Sequence, residues 1–153
     1  YKSKRDIFDS IVKRMEQQDS EQARENEVPE ESIEKTPEEY QNVSFDDFVE
    51  YSKSMFEYWT EDDFASSFRK MLTIEQFRSE EMQKLYQQYL VAGPASYVKA
   101  LFESIGIVNA KDKAARFYAV MHFYYSLYDG AADKEKVKVE FVSAIKSLVQ
   151  DLA

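Results

Sequence analysis

Apolar residues recur at helical spacing through most of this chain. Residues 3–6 (Ser-Lys-Arg-Asp) form a capping box, after which Ile7, Phe8, Ile11, Val12 and Met15 trace one face of a helix predicted over 3–26. The stripe ends at Gln17, so the far end of that helix is predicted to be polar and to project or fray. Val28-Pro29 and Thr36-Pro37 bracket a polar connection over 27–43. Ser44 opens the next helix and Thr60 the one after. Thr73 and Ser79 compete to start a long fourth helix, with Ser79 the better placed. Asp112 begins a helix that runs to Asp129-Gly130, and a last one spans 133–152. The fold class expected is all-α, an antiparallel helical bundle of about six helices.

Two stripes are interrupted where a filled core would not be. Behind Ser44, the apolar face carries Phe45, Phe48, Val49, Met55, Phe56 and Trp59, with Ser52 in its middle. A dry, close-packed core favours Ala or Leu at such a position. Behind Ser79 the face is Met82, Leu85, Tyr86, Tyr89 and Leu90, continued by Tyr97, Leu101 and Ile105 after Gly93-Pro94. Pro94 cannot donate to the carbonyl four residues back, so the helix is expected to kink and leave the Leu90 carbonyl free. Small side chains and a freed carbonyl facing tyrosines suggest a cavity wall.

The last two helices are apolar over more than one face. Phe117, Tyr118, Val120, Met121, Phe123, Tyr124, Tyr125, Leu127 and Tyr128 nearly encircle the first, and Phe141, Val142, Ile145, Leu148 and Val149 lie on the second. Such a perimeter predicts a homodimer through residues 112–153, with Tyr118, Phe141, Val142, Ile145, Leu148 and Val149 as the seam.

Composition narrows the chemistry. Three Gly and three Pro are too few for the turns of an all-β fold. With no Cys and a single His there is no thiolate metal site and little scope for zinc or for acid–base work near neutral pH, and no cofactor is expected. No run approaches the ~18 apolar residues of a membrane span, which fits a cytoplasmic setting. Net charge is −9, of which residues 17–43 carry −7: nine acids from Asp19 to Glu39 against Arg24 and Lys35. This run reads as solvated surface, and it would repel a phosphate backbone. The pairs Asp46-Asp47, Asp62-Asp63 and Glu80-Glu81 fall in first helical turns, where carboxylates complement the helix dipole rather than do catalysis. The residue three before His122 is Ala119, which excludes the Glu-x-x-His of a di-iron bundle. The ordinary role for His122 is a core or interface hydrogen bond, the sharper one a contact to a ligand.

The opening Tyr1-Lys2-Ser3-Lys4-Arg5-Asp6-Ile7-Phe8 resembles the join after the helix-turn-helix in TetR-family transcriptional regulators. There an aromatic, a Ser or Asn, a Lys and a Leu/Ile-Phe pair mark the start of the fourth helix. Phe117-Tyr118-Ala119 and Ser126-Leu127-Tyr128-Asp129-Gly130 resemble the family's eighth helix, and Tyr97 with Phe102 behind Gly93-Pro94 its seventh. The polar connection is longer than is usual in the family. The resemblance implies the effector-binding and dimerisation half of a repressor, meeting operator DNA only through an N-terminal domain absent from this chain. Lys2 and Lys4 would lie at the DNA end of the connecting helix, within reach of phosphate, and a ligand in the core would tilt that helix.

The resemblance also places the ligand site among Phe48, Ser52, Met55, Phe56, Trp59, Met82, Tyr86, Tyr89, Leu90 and Gly93, backed by Phe117, Met121 and Tyr125. The hydroxyls of Ser52, Tyr86, Tyr89 and Tyr125 and the Leu90 carbonyl would supply polarity. Neither stripe carries Lys or Arg, so the expected effector is a flat, hydrophobic small molecule, neutral or cationic. Two other classes fit less of the pattern. A partner-binding helical adaptor would show an open groove, and an enzyme using buried tyrosines would need a polarising partner for them.

Overall fold

The computed structural model describes residues 3–25 and 45–152. Among them the chain is all-helical: α1 (Lys4–Glu25), α2 (Phe45–Glu61), α3 (Asp63–Glu75), α4 (Glu80–Leu90), α5 (Ala92–Ser104), α6 (Ala110–Gly130) and α7 (Lys134–Gln150). No described helix is long and apolar enough to cross a membrane. Lys2, Ser44 and the 27–43 connection lie outside the described residues.

Side-chain caps set most helix starts. The Asp6 amide donates to Ser3 Oγ (3.2 Å), Met82 to Ser79 Oγ (3.2 Å) and Lys136 to Asp133 Oδ1 (3.1 Å). Each such cap contributes about 1 kcal/mol. Two expected starts move. Thr60 stays inside α2, donating to the Phe56 carbonyl (2.6 Å), and Asp62 caps α3 by accepting from the Ala65 amide (2.8 Å). Asp112 sits inside α6 and pairs with Arg116 (3.1 Å), while Asn109, with a left-handed φ of 57°, precedes the helix.

The expected kink at Gly93-Pro94 is a full break, which accounts for seven helices among the described residues where the pattern predicts about six. Val91 leaves helical geometry at φ −135°, ψ −87°. Pro94 has no N–H for the Leu90 carbonyl, and the Tyr118 hydroxyl donates to that oxygen instead, at 2.6 Å. Gly93 is there for close backbone approach: a Cβ would stand 1.8 Å from the Gln88 carbonyl oxygen. It does not open a cavity, as its place in the stripe suggested.

α6 is the central element, packed against α5, α7 and α2. Phe48 meets Phe117 at 4.8 Å and Phe56 meets Tyr125 at 5.7 Å, so α2 and α6 run parallel. α6 and α7 form a hairpin, with Lys134 donating to the Tyr128 carbonyl and Tyr124 packed edge-on to Phe141. Phe56 stacks on Phe141 at 4.1 Å and closes the core between α2 and α7.

Four of the six seam residues belong to this core. Tyr118, Phe141, Ile145 and Val149 are buried within the chain itself, and Val142 and Leu148 are half-buried against them. α6 and α7 spend much of their apolar perimeter on their own bundle. What α6 turns outward is a stripe of Ala115, Ala119, Phe123 and Leu127, with Phe123 58% exposed.

α1 lies across α2 through long side chains. Met15 is fully buried and accepts from the Tyr58 hydroxyl (3.5 Å). Gln18 donates to that hydroxyl (3.2 Å), and Gln22 donates to Ser54 Oγ (3.0 Å). The polar end of α1 therefore docks on α2 and does not project. Near its start, Arg5 reaches Glu81 on α4 at 2.7 Å.

Arg69 of α3 binds three elements at once. Its Nε donates to the Trp59 carbonyl (3.0 Å), and its two terminal nitrogens grip Asp129 of α6 at 2.9 and 2.7 Å. Arg69→Met should cost about 3 kcal/mol in urea unfolding, because it strands Asp129 and the Trp59 carbonyl. Gly93→Ala should cost a similar ~3 kcal/mol, since backbone at the α4–α5 break must move. An unchanged midpoint for either variant would contradict the packing described.

Candidate ligand cavity

A cavity of about 60 Å³ lies where Ser52 thins the α2 face. Phe48, Met55 and Trp59 flank Ser52 on α2, and Tyr89 of α4 closes one side. Phe117, Met121 and Tyr125 form the α6 wall. These eight residues are the part of the expected site that the structure brings together. Ser52 is 1% exposed, and its hydroxyl donates to the Phe48 carbonyl at 2.7 Å. It keeps only acceptor capacity for a guest.

The other five expected residues lie elsewhere. Phe56 packs against Tyr125, Tyr128 and Phe141 farther along the same face of α2 and does not line the cavity. Gly93 belongs to the helix break, and the Leu90 carbonyl is taken by Tyr118. Met82 is half-buried and does not reach the cavity. Tyr86 sits on the opposite side of α6, sharing a 3.4 Å hydrogen bond with His122 Nε2. His122 thus has a hydroxyl partner, and it does not line the cavity. Burial and the nearby Arg69 lower its pKa, which keeps the imidazole neutral.

The pattern missed six lining residues. Tyr51 lies on the flank of the α2 stripe, and Pro94, Tyr97 and Val98 share the first turns of α5. Tyr118, assigned to a subunit seam, turns inward because its hydroxyl serves the Leu90 carbonyl. The sixth is Asp19 of α1, assigned to a solvated acidic run. Its signal was position: Asp19 follows the buried Met15 by four residues and extends the inward row begun by half-buried Ile11.

Electrically the cavity is dominated by Asp19, since the rest of the lining is neutral side chains. Burial holds the Asp19 carboxyl at about 6, up from 3.8 in water. Tyr58 across the α1–α2 contact is pushed up to about 12, chiefly by burial and also by the charge of Asp19. Burial also raises the Tyr125 phenol far above its usual value, with Arg69 opposing. Tyr58 and Tyr125 therefore stay neutral hydroxyls at physiological pH.

Comparison with family models, with curated proteins and with solved structures finds no match for this chain.

A carboxyl whose pKa rises on folding stabilises the fold fully below its unfolded value near 4. That contribution is lost as pH rises through about 6. Asp19→Asn should therefore stabilise the empty protein at pH 7.5 by about 1–2 kcal/mol, discounted for partial exposure. It should also remove the part of the wild-type stability gain that appears between pH 7 and pH 4. Urea midpoints across that range, for both proteins, check this; parallel curves would refute it.

Proposed function

We propose that this chain is the ligand-sensing and dimerisation half of a TetR-like transcriptional repressor. Occupancy of the cavity would move α1 and so re-space two DNA-binding domains joined to it. One observation carries the reading. The cavity enclosed by α2, α4, α5 and α6 takes its remaining lining residue from α1, the helix that the sequence resemblance joins to the DNA reader. A ligand there touches the connecting helix directly, so differential binding to two positions of α1 is available without a relay.

At about 60 Å³ the cavity has room for roughly four or five waters. Typical small-molecule sites are ~300–1,000 Å³. A drug-sized flat effector would therefore have to displace a wall, and α1 is the wall held by side-chain contacts alone. Dimerisation, on this reading, uses the outward α6 stripe of Ala119, Phe123 and Leu127 in place of the seam residues that the core absorbs. A second reading, the helical adaptor, draws on an open groove between α1 and α4 where Phe8, Val12 and Leu85 lie between charged residues.

Sedimentation of the wild-type chain at micromolar concentration should give a dimer, and Phe123→Glu should give a folded monomer. The absence of cysteine allows one spin label per subunit, through Lys4→Cys on exposed α1. The label-to-label distance in the dimer should shift by several ångströms (~2–5 Å, within the helix-shift range) when the cavity is saturated with indole as a neutral probe. A monomeric wild type, or a distance unmoved at saturation, would remove the repressor reading and leave the groove as the better lead.

A further inference from the structure

The carboxylate in the cavity wall restricts what the cavity can hold. Asp19 makes no hydrogen bond or ion pair among the described residues, while its neighbours Gln18 and Gln22 are both engaged with α2. Aromatic side chains line the same space: Tyr51 and Tyr97, tilted against each other with ring centres 6.4 Å apart, together with Trp59 and Tyr125. Ser52, whose proton goes to the Phe48 carbonyl, presents a neutral acceptor oxygen. The nearest buried cation, Arg69, is already committed to Asp129 and the Trp59 carbonyl and is not among the lining residues. Among the described residues the lining thus carries one negative charge, several aromatic side chains and no positive group.

We propose that the cavity is a site for a small organic cation, an ammonium headgroup held against the Asp19 carboxylate and packed among Tyr51, Trp59 and Tyr97. A cation there gains twice. It gives a desolvated carboxylate the counter-charge it lacks, and its alkyl shell meets ring faces that attract positive charge. An anion would meet Asp19 with nothing to offset it, and a neutral guest would leave the carboxylate stranded. At about 60 Å³ the cavity favours a compact headgroup, and a larger guest requires α1 to move. The inference rests on the cavity being a ligand site, but not on the transcriptional role.

The test compares choline with its uncharged isostere 3,3-dimethylbutan-1-ol, by calorimetry and thermal shift, on the 153-residue protein at pH 7.5. Wild type should bind choline at least about tenfold more tightly than the isostere. Asp19→Asn should abolish that preference, losing choline by roughly tenfold or more while keeping the isostere. Ser52→Leu, which fills the cavity, should lose both, with circular dichroism confirming that it is folded. Three results overturn the proposal. Equal binding of the two probes to wild type, or choline binding that survives Asp19→Asn, removes the cation preference while leaving a ligand cavity standing. Failure of both probes to bind folded wild type removes the cation site and the cavity reading together.

Discussion

A buried guanidinium sets the frame for everything around the cavity. Arg69 is 5% exposed, cannot shed its proton, and so requires a carboxylate and carbonyls wherever it is placed. Asp129 at the end of α6 and the Trp59 carbonyl near the end of α2 meet that requirement, and the guanidinium also lies 5.4 Å from the Tyr125 ring centre. The ends of α2 and α6 are thereby fixed to α3, together with the cavity wall that Trp59 and Tyr125 supply. Neither helix can slide along the other without exposing an unpaired charge. Phe56, stacked between Tyr125 and Phe141, fills the volume directly behind this clamp.

The opposite wall is built differently. α1 contacts the bundle through Met15, Gln18, Gln22, Arg14 over Phe64 and the exposed Arg5–Glu81 pair. Apart from the fully buried Met15, these are two neutral hydrogen bonds, a cation–π contact and a surface ion pair, each contributing on the order of 1 kcal/mol or less. The cavity is therefore clamped on one side and latched on the other. A guest that needs more room will move the latched side, because displacing α2 or α6 would break the Arg69 network first.

Sequence pattern carried the fold far. The Ser3, Ser79 and Asp133 caps and the stripes on α2, α4 and α6 specify all-helical structure, and Ser52 locates the cavity. What it could not carry were pairings across long separations. Arg69 sits between Phe68 and Lys70 with nothing local to mark it as buried, since its partner is sixty residues on. The apolar perimeter of α6 showed that more than one face is covered, but not that α5, α2 and α7 of the same chain cover most of it. Summing charges along residues 17–43 concealed Asp19, because a charge run is a property of sequence and burial a property of one helix face. Gly93 illustrates the same limit: its absence of a side chain serves a backbone contact at Gln88, which no stripe can register.

Asp19 and the loose latch of α1 are connected physically. An ionised carboxylate facing a low-dielectric cavity favours positions of α1 in which it regains water, so the charge works against the closed arrangement. Met15 and the glutamines hold the helix in against that tendency. A counter-charge in the cavity reverses the sign, because it favours the carboxylate where it is. The two kinds of guest then act on α1 in opposite senses. On the proposed reading, a bulky neutral molecule would push the helix outward by volume, whereas a small cation would draw it inward by charge. Which sense a ligand takes follows from its differential affinity for the two positions of α1, and Asp19 is the residue that makes those affinities depend on charge.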